Sequence, residues 1–186
     1  MFSRNNFIIL ILILFNVFLS RGGYSQEENR QKDIRKEIIS TFKKLVQLNE
    51  DFKSSVDSGV GKSGRSYHDL RKEVESYGED FFDSKLKIMK NTMCKNEDRE
   101  LLTEFFNVLI SIENSANEYP RWILGDVYLC QPDLVVTVFK KLEKPHQRII
   151  YNDLDFGFRN VTYNREIPNY SKLKKKLESL AIKNRD

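Results

Sequence analysis

The sequence predicts an all-α protein of about eight helices in antiparallel hairpins, forming either a stack or an irregular bundle. Three observations predict it. Apolar residues recur at spacings of three, four or seven along most of the chain, Pro120, Pro132 and Pro145 each stand just before an apolar-periodic run, and no segment shows a convincing period-two alternation.

From Glu27 to about Asp57 the residues Ile34, Ile38, Phe42, Leu45 and Phe52 share one helical face, with Lys and Glu between them. Residues 58–65, Ser-Gly-Val-Gly-Lys-Ser-Gly-Arg, then form the expected flexible loop. Ser66 is placed to cap a second helix carrying Leu70, Val74 and Tyr77 and closing at Gly78. A third helix carries Phe82, Leu86, Met89 and Met93. Asn96 is the expected cap of a fourth, with Glu97 and Asp98 at its positive end and Leu102, Phe105, Phe106, Leu109 and Ile112 on its core face.

Proline suits a first helical turn because the N–H it lacks has no intrahelical partner there. The three prolines therefore predict helices over Pro120 to Leu129, Pro132 to Leu142 and Pro145 to about Arg159, with turns short enough to make antiparallel neighbours. The β-branched run Leu134 to Phe139 falls between Pro132 and Lys140-Lys141-Leu142, which favours a buried helix over a strand. A last helix is expected from Ser171 to Lys183, with Leu173, Leu177 and Leu180 inside.

The N-terminus predicts export. Arg4 precedes an apolar run from Phe7 through Leu19, followed by the small residues Ser20, Gly22, Gly23 and Ser25, which are the three parts of a secretory signal peptide. Its apolar core of about 13 residues is short of the roughly 20 that span a bilayer. The expected organisation is a signal peptide over 1–25, cleaved between Ser25 and Gln26, and a single helical domain over 26–186, periplasmic or extracellular; retention as an anchor is the alternative.

The 186 residues carry 31 Lys and Arg against 27 Asp and Glu, a net charge of +4, and loss of Arg4 and Arg21 with the signal reduces it to +2. A near-neutral chain with 40% hydrophobic residues excludes a strongly basic nucleic-acid binder, so no nucleic-acid partner is expected.

At Leu124-Gly125-Asp126-Val127-Tyr128 the chain resembles the Leu-Gly-x-x-Tyr of the first helix of a tetratricopeptide repeat, with Trp122 close upstream. That pattern has two residues between Trp and Leu where this chain has only Ile123, and Thr137 and Lys141 occupy its small and aromatic positions. The short hairpins also look like HEAT-type units. The resemblance implies a tetratricopeptide- or HEAT-like stack, and gives Gly125 the role of letting another helix approach.

Gly61-Lys62-Ser63 looks like the end of a phosphate-binding loop, but Val56 stands where that loop needs its first Gly and a helix precedes it, so no nucleotide or other cofactor is expected. Cys94 and Cys130 end helices that run the same way in the predicted order. They are expected to form a disulfide in an oxidising compartment. His68 and His146 lack the spacing of a metal pair, and no metal is expected. Asp126, Asp153 and Asp155 could pair across hairpins for acid/base work if burial raised one pKa.

Two surfaces carry binding chemistry. Tyr119, Arg121 and Trp122 are the residue types of interface hot spots, although a single Trp in a helical protein is more often core. Lys174, Lys175 and Lys176 form a basic stripe that could meet an anionic partner; membrane contact through it is not favoured over a solvated helix face. The functional expectation is an exported, monomeric, non-catalytic module for protein–protein recognition, as an inhibitor, an immunity-type protector or an envelope adaptor. The alternative is a hydrolase acting on cell-envelope polymers.

Overall fold

Among the described residues the helical periodicity is realised as eight α-helices: α1 Arg4–Ser58, α2 Tyr67–Tyr77, α3 Asp83–Met93, α4 Arg99–Ser111, α5 Tyr119–Cys130, α6 Pro132–Phe139, α7 Lys144–Thr162 and α8 Tyr170–Ile182. The computed structural model describes residues 4–78, 82–113, 115–163 and 165–182, with side chains from residue 28 onward except at 57 and 182. Among these residues there is no strand, only an isolated bridge between Val60 and Ser66. The fold is all-α.

Residues 1–37 and 38–186 form two compact units. In the first, the helix carries the local ion pairs Lys32–Glu28 at 2.7 Å and Lys36–Asp33 at 3.9 Å. The backbone is helical from Arg4, but the side chains of the expected signal peptide and of its Ser25/Gln26 junction lie outside the described residues.

The second unit closes around the apolar stripes. Ile38, Phe42 and Leu45 of α1 are buried with Leu70 of α2, Leu86, Met89 and Met93 of α3, and Leu102, Phe105 and Phe106 of α4. Phe42 is central, with its ring 6.1 Å from Phe82 and 5.9 Å from Phe105. Burial of this many large side chains, each contributing about 1.5–3 kcal/mol, is what closes the helices on one another.

Helix ends follow cap chemistry, with one correction. Ser66 caps α2 as expected, its hydroxyl accepting from the Asp69 N–H. The cap of α4 is Asp98 instead of Asn96: the Asp98 carboxylate accepts from Leu101 N at 3.0 Å, so α4 starts two residues later. Pro120, Pro132 and Pro145 all lie in first turns. α6 stops at Phe139, short of Leu142, whereas α7 runs on to Thr162. Across Gln131 the axis turns by 116° between α5 and α6, a corner that stops short of the hairpin reversal expected from the short turn.

The most extensive contact joins α5 to α7, and two glycines make it. A Cβ on Gly125 would fall 2.5 Å from the Gly157 carbonyl group, and one on Gly157 would fall 2.0 Å from the Arg121 carbonyl oxygen. Only backbones without side chains fit this crossing. Gly125 thus has the close-approach role that the repeat-like motif implied, with a partner in Gly157. Tyr128 of the same motif is fully buried; its ring meets Phe158 edge-on at 5.6 Å and its hydroxyl donates to Leu173 O at 2.8 Å, tying α8 to α5. Burial, with the Asp133 charge, pushes this phenol up to about 12.

α3 and α5 run parallel and in register. Cys94 is disulfide-bonded to Cys130 with their Cα atoms 5.3 Å apart, Lys90 pairs with Asp126 at 3.2 Å, and the Asp83 carboxylate acts on the Tyr119 phenol; each couple is separated by the same 36 residues.

The 58–65 segment, expected as a flexible loop, is a hydrogen-bonded turn fastened to α1. Gly61 N donates to Arg65 O at 2.8 Å, Ser63 N to Asp51 Oδ1 at 2.9 Å and Lys62 N to Ser54 Oγ at 3.0 Å; the Ser63 hydroxyl also donates to Asp51. Gly59 and Gly64 take positive φ, and at Gly61 a Cβ would meet the Asp51 carboxylate at 2.4 Å. The Lys62 and Ser63 N–H groups that a phosphate would need are thus directed at α1 side chains.

Candidate functional site

α5 distributes its side chains over three surroundings. Ile123, Leu124, Val127 and Tyr128 enter the core, Arg121 faces α7, and Tyr119, Trp122 and Asp126 lie three and four residues apart on the side toward α3. The Tyr119, Arg121 and Trp122 cluster read from the sequence is therefore divided. Successive helical residues are turned by about 100°, which separates Arg121 from the other two.

Trp122 is 44% exposed, contrary to the commoner core position. Tyr119 is half-buried; burial first, and then the Asp83 and Asp126 charges, raise its phenol above the ordinary value. Behind this face Arg121 Nε donates to Asp153 Oδ1 at 2.8 Å, and the guanidinium lies 5.7 Å from the centre of the Phe156 ring.

Asp153 is the buried carboxylate of the molecule's described core, only 7% exposed. Burial pushes its pKa up to about 6, with Arg121 opposing and Glu113 reinforcing the shift. Asp126, Asp153 and Asp155 each pair with a cation and not with one another: Asp126 meets Lys90, Asp153 meets Arg121, and Asp155 meets Arg159 at 2.9 Å. Each carboxylate has a cation as its neighbour.

The basic stripe of α8 is also partly neutralised. Lys176 pairs with Asp133 of α6, holding that carboxyl below the usual range, and Lys174 lies 4.0 Å from Glu178 on its own helix. Lys175 is exposed and has no ion pair among the described residues. Lys176 is therefore an anchor of α8 to α6, and the three lysines do not form one free surface.

Cys94 and Cys130, placed together by the parallel helices, form the expected disulfide. Among the described residues no group of three or more His, Cys, Asp or Glu is placed to hold a metal ion. His68 packs edge-on against Tyr67 at 5.5 Å. Among the described residues no single helix is long and apolar enough to cross a membrane.

No family model, curated protein or solved structure matches this chain.

Two clefts border α1 and α2. One, of about 520 Å³, lies between α1, the 62–65 turn and α2, and its charges are largely matched: Glu73 faces both Lys44, at 3.7 Å, and Arg65, while Asp51 holds the turn. The other, of about 480 Å³, lies between α1, α2 and the end of α4 and has Asn49 and Ser111 among its lining residues. Asn49 carried a sequence signal, since it falls four residues after Leu45 and three before Phe52, in phase with the apolar stripe. A polar residue at that phase is an expected buried polar group.

Proposed function

We propose that the chain is an exported recognition module that binds a protein partner through the α5 face bearing Trp122. The observation that carries this reading is an exposed indole on a helix fixed at three points. Trp122 is 44% exposed, while α5 is held by the Cys94–Cys130 disulfide at its end, by the Gly125–Gly157 crossing, and by the Arg121–Asp153 pair. A large aromatic presented on a rigid element loses little conformational freedom on binding, which is why such residues dominate interfaces. Export is supported by the apolar N-terminal run after Arg4 and by a cysteine pair set for an oxidising compartment.

The test is affinity capture of the exported protein from its own host, with crosslinking and mass spectrometry. The reading requires one stoichiometric protein, crosslinked near Trp122 and lost on Trp122→Ala while the helical circular dichroism is unchanged. Recovery that is indifferent to Trp122→Ala, or no specific recovery at physiological salt, overturns it.

A further inference from the structure

The cleft between α1, α2 and the end of α4 has apolar walls, formed by Leu45, Phe52, Val74, Phe82 and Ile112, and a polar floor. Asn49 is only 7% exposed, as is Ser111. Asn49 Nδ2 donates to Ser111 Oγ at 3.2 Å, and that hydroxyl donates onward to Val108 O at 2.8 Å. The serine is thereby saturated as a donor. The amide retains one N–H, and its Oδ1 has no partner among the described residues.

Buried polar atoms nearly always have a partner, and an amide carbonyl on a residue that lines a cleft of about 480 Å³ can receive a donor that arrives from outside. The lining charges narrow the class. Lys53 is the one cation among the described lining residues, against the carboxylates of Glu75 and Glu113, and Glu75 is itself bonded to Arg71 at 2.8 Å. An anionic head group would meet two carboxylates against this single lysine, which stands one helical turn from Asn49.

We propose that this cleft binds a neutral, largely apolar small molecule carrying one N–H or O–H, which donates to Asn49 Oδ1 while its body lies against Leu45, Phe52, Val74, Phe82 and Ile112. The site is separate from the Trp122 face and does not depend on it.

The experiment is a fluorescence titration of the full chain with N-phenyl-naphthylamine, a neutral apolar probe with a single N–H, and with its N-methylated analogue, which lacks the donor. The expected result is saturable one-to-one binding, with the methylated probe at least about tenfold weaker, the usual penalty for a buried acceptor left unpaired. Asn49→Leu keeps the cleft apolar and removes the acceptor, so both probes should then bind alike. Val74→Phe, at a half-buried wall position, fills the cleft and should abolish binding of both, with the helical circular dichroism retained. Trp122→Ala should leave the titration unchanged, which separates this proposal from the recognition reading. Absence of saturable binding to the folded protein, a probe preference that survives Asn49→Leu, or binding untouched by Val74→Phe would each overturn it.

Discussion

Burial raises the Asp153 carboxyl to about 6 although the Arg121 guanidinium stands 2.8 Å away and acts in the opposite direction. A carboxyl with a higher pKa in the folded state binds its proton more tightly there. Its contribution to stability is therefore present below the ordinary carboxylate pKa and is lost as pH rises through about 6. From this group alone, unfolding free energy should fall by on the order of 2–3 kcal/mol between pH 4 and pH 7. Asp153→Asn keeps an acceptor for Arg121 Nε and removes the titration, so the slope over that window should flatten. Asp51 and Asp133 do not obscure the measurement. Hydrogen bonds from Ser63 and from Lys176 lower their pKa values, so their contributions are lost only in more acid solution. Urea denaturation of both proteins at several pH values decides the matter: an unchanged slope in Asp153→Asn would mean that the carboxylate is ionised throughout.

The α5–α7 crossing and the α2 terminus make opposite predictions for the same substitution. At Gly125 or Gly157 an alanine Cβ would collide with backbone atoms of the facing helix, which cannot move aside as a flexible side chain can. Gly125→Ala and Gly157→Ala should each destabilise by about 3 kcal/mol, the upper part of the range for overpacking. Gly78 has helical dihedrals, φ −67°, and nothing within 4 Å of a built Cβ, so Gly78→Ala should stabilise by roughly 0.5–1 kcal/mol. Thermal melts of the three variants test both signs. The sequence made Gly125 legible through its repeat-like motif, and the periods of α3 named Phe82, Leu86, Met89 and Met93, all buried. Gly157 was not legible, because a glycine's use depends on which backbone crosses it. The α5–α6 corner was hidden for the same reason: Gln131-Pro132 sets where a helix restarts and leaves its direction to packing. The exposure of Trp122 was within reach, since it shares a side with Tyr119 and Asp126 while Ile123, Leu124, Val127 and Tyr128 form the buried stripe.

At the level of the whole second unit, the disulfide closes a loop spanning 36 residues that contains α4 and nearly all of α5. In the chain-entropy account such a loop stabilises by about 4 kcal/mol, so the Cys94→Ala, Cys130→Ala double variant should lose roughly that much in denaturant titrations without a change of fold. Reduction of the wild-type protein should match it; a loss well under 1 kcal/mol would place the stability of the unit in its apolar packing alone. The parallel course of α3 and α5 could be worked out from the order of helices, which is why the cysteine pairing was legible. The cleft was less so. Asn49 broke the apolar phase of α1, but Ser111 and the facing wall from α2 are brought to it only by the tertiary arrangement.

The shared 36-residue offset between α3 and α5 also decides how the molecule would respond to force. Pulled from its two ends, the oxidised chain transmits tension from Cys94 to Cys130 through the covalent bridge, so α4 and α5 carry none of the load along their own backbone. About 120 Å of contour stays hidden until the bridge is reduced. The helix that presents Trp122 would then be among the last parts of the protein to be stretched, unlike α1 and α8, which lie on either side of the bridge and take the full tension.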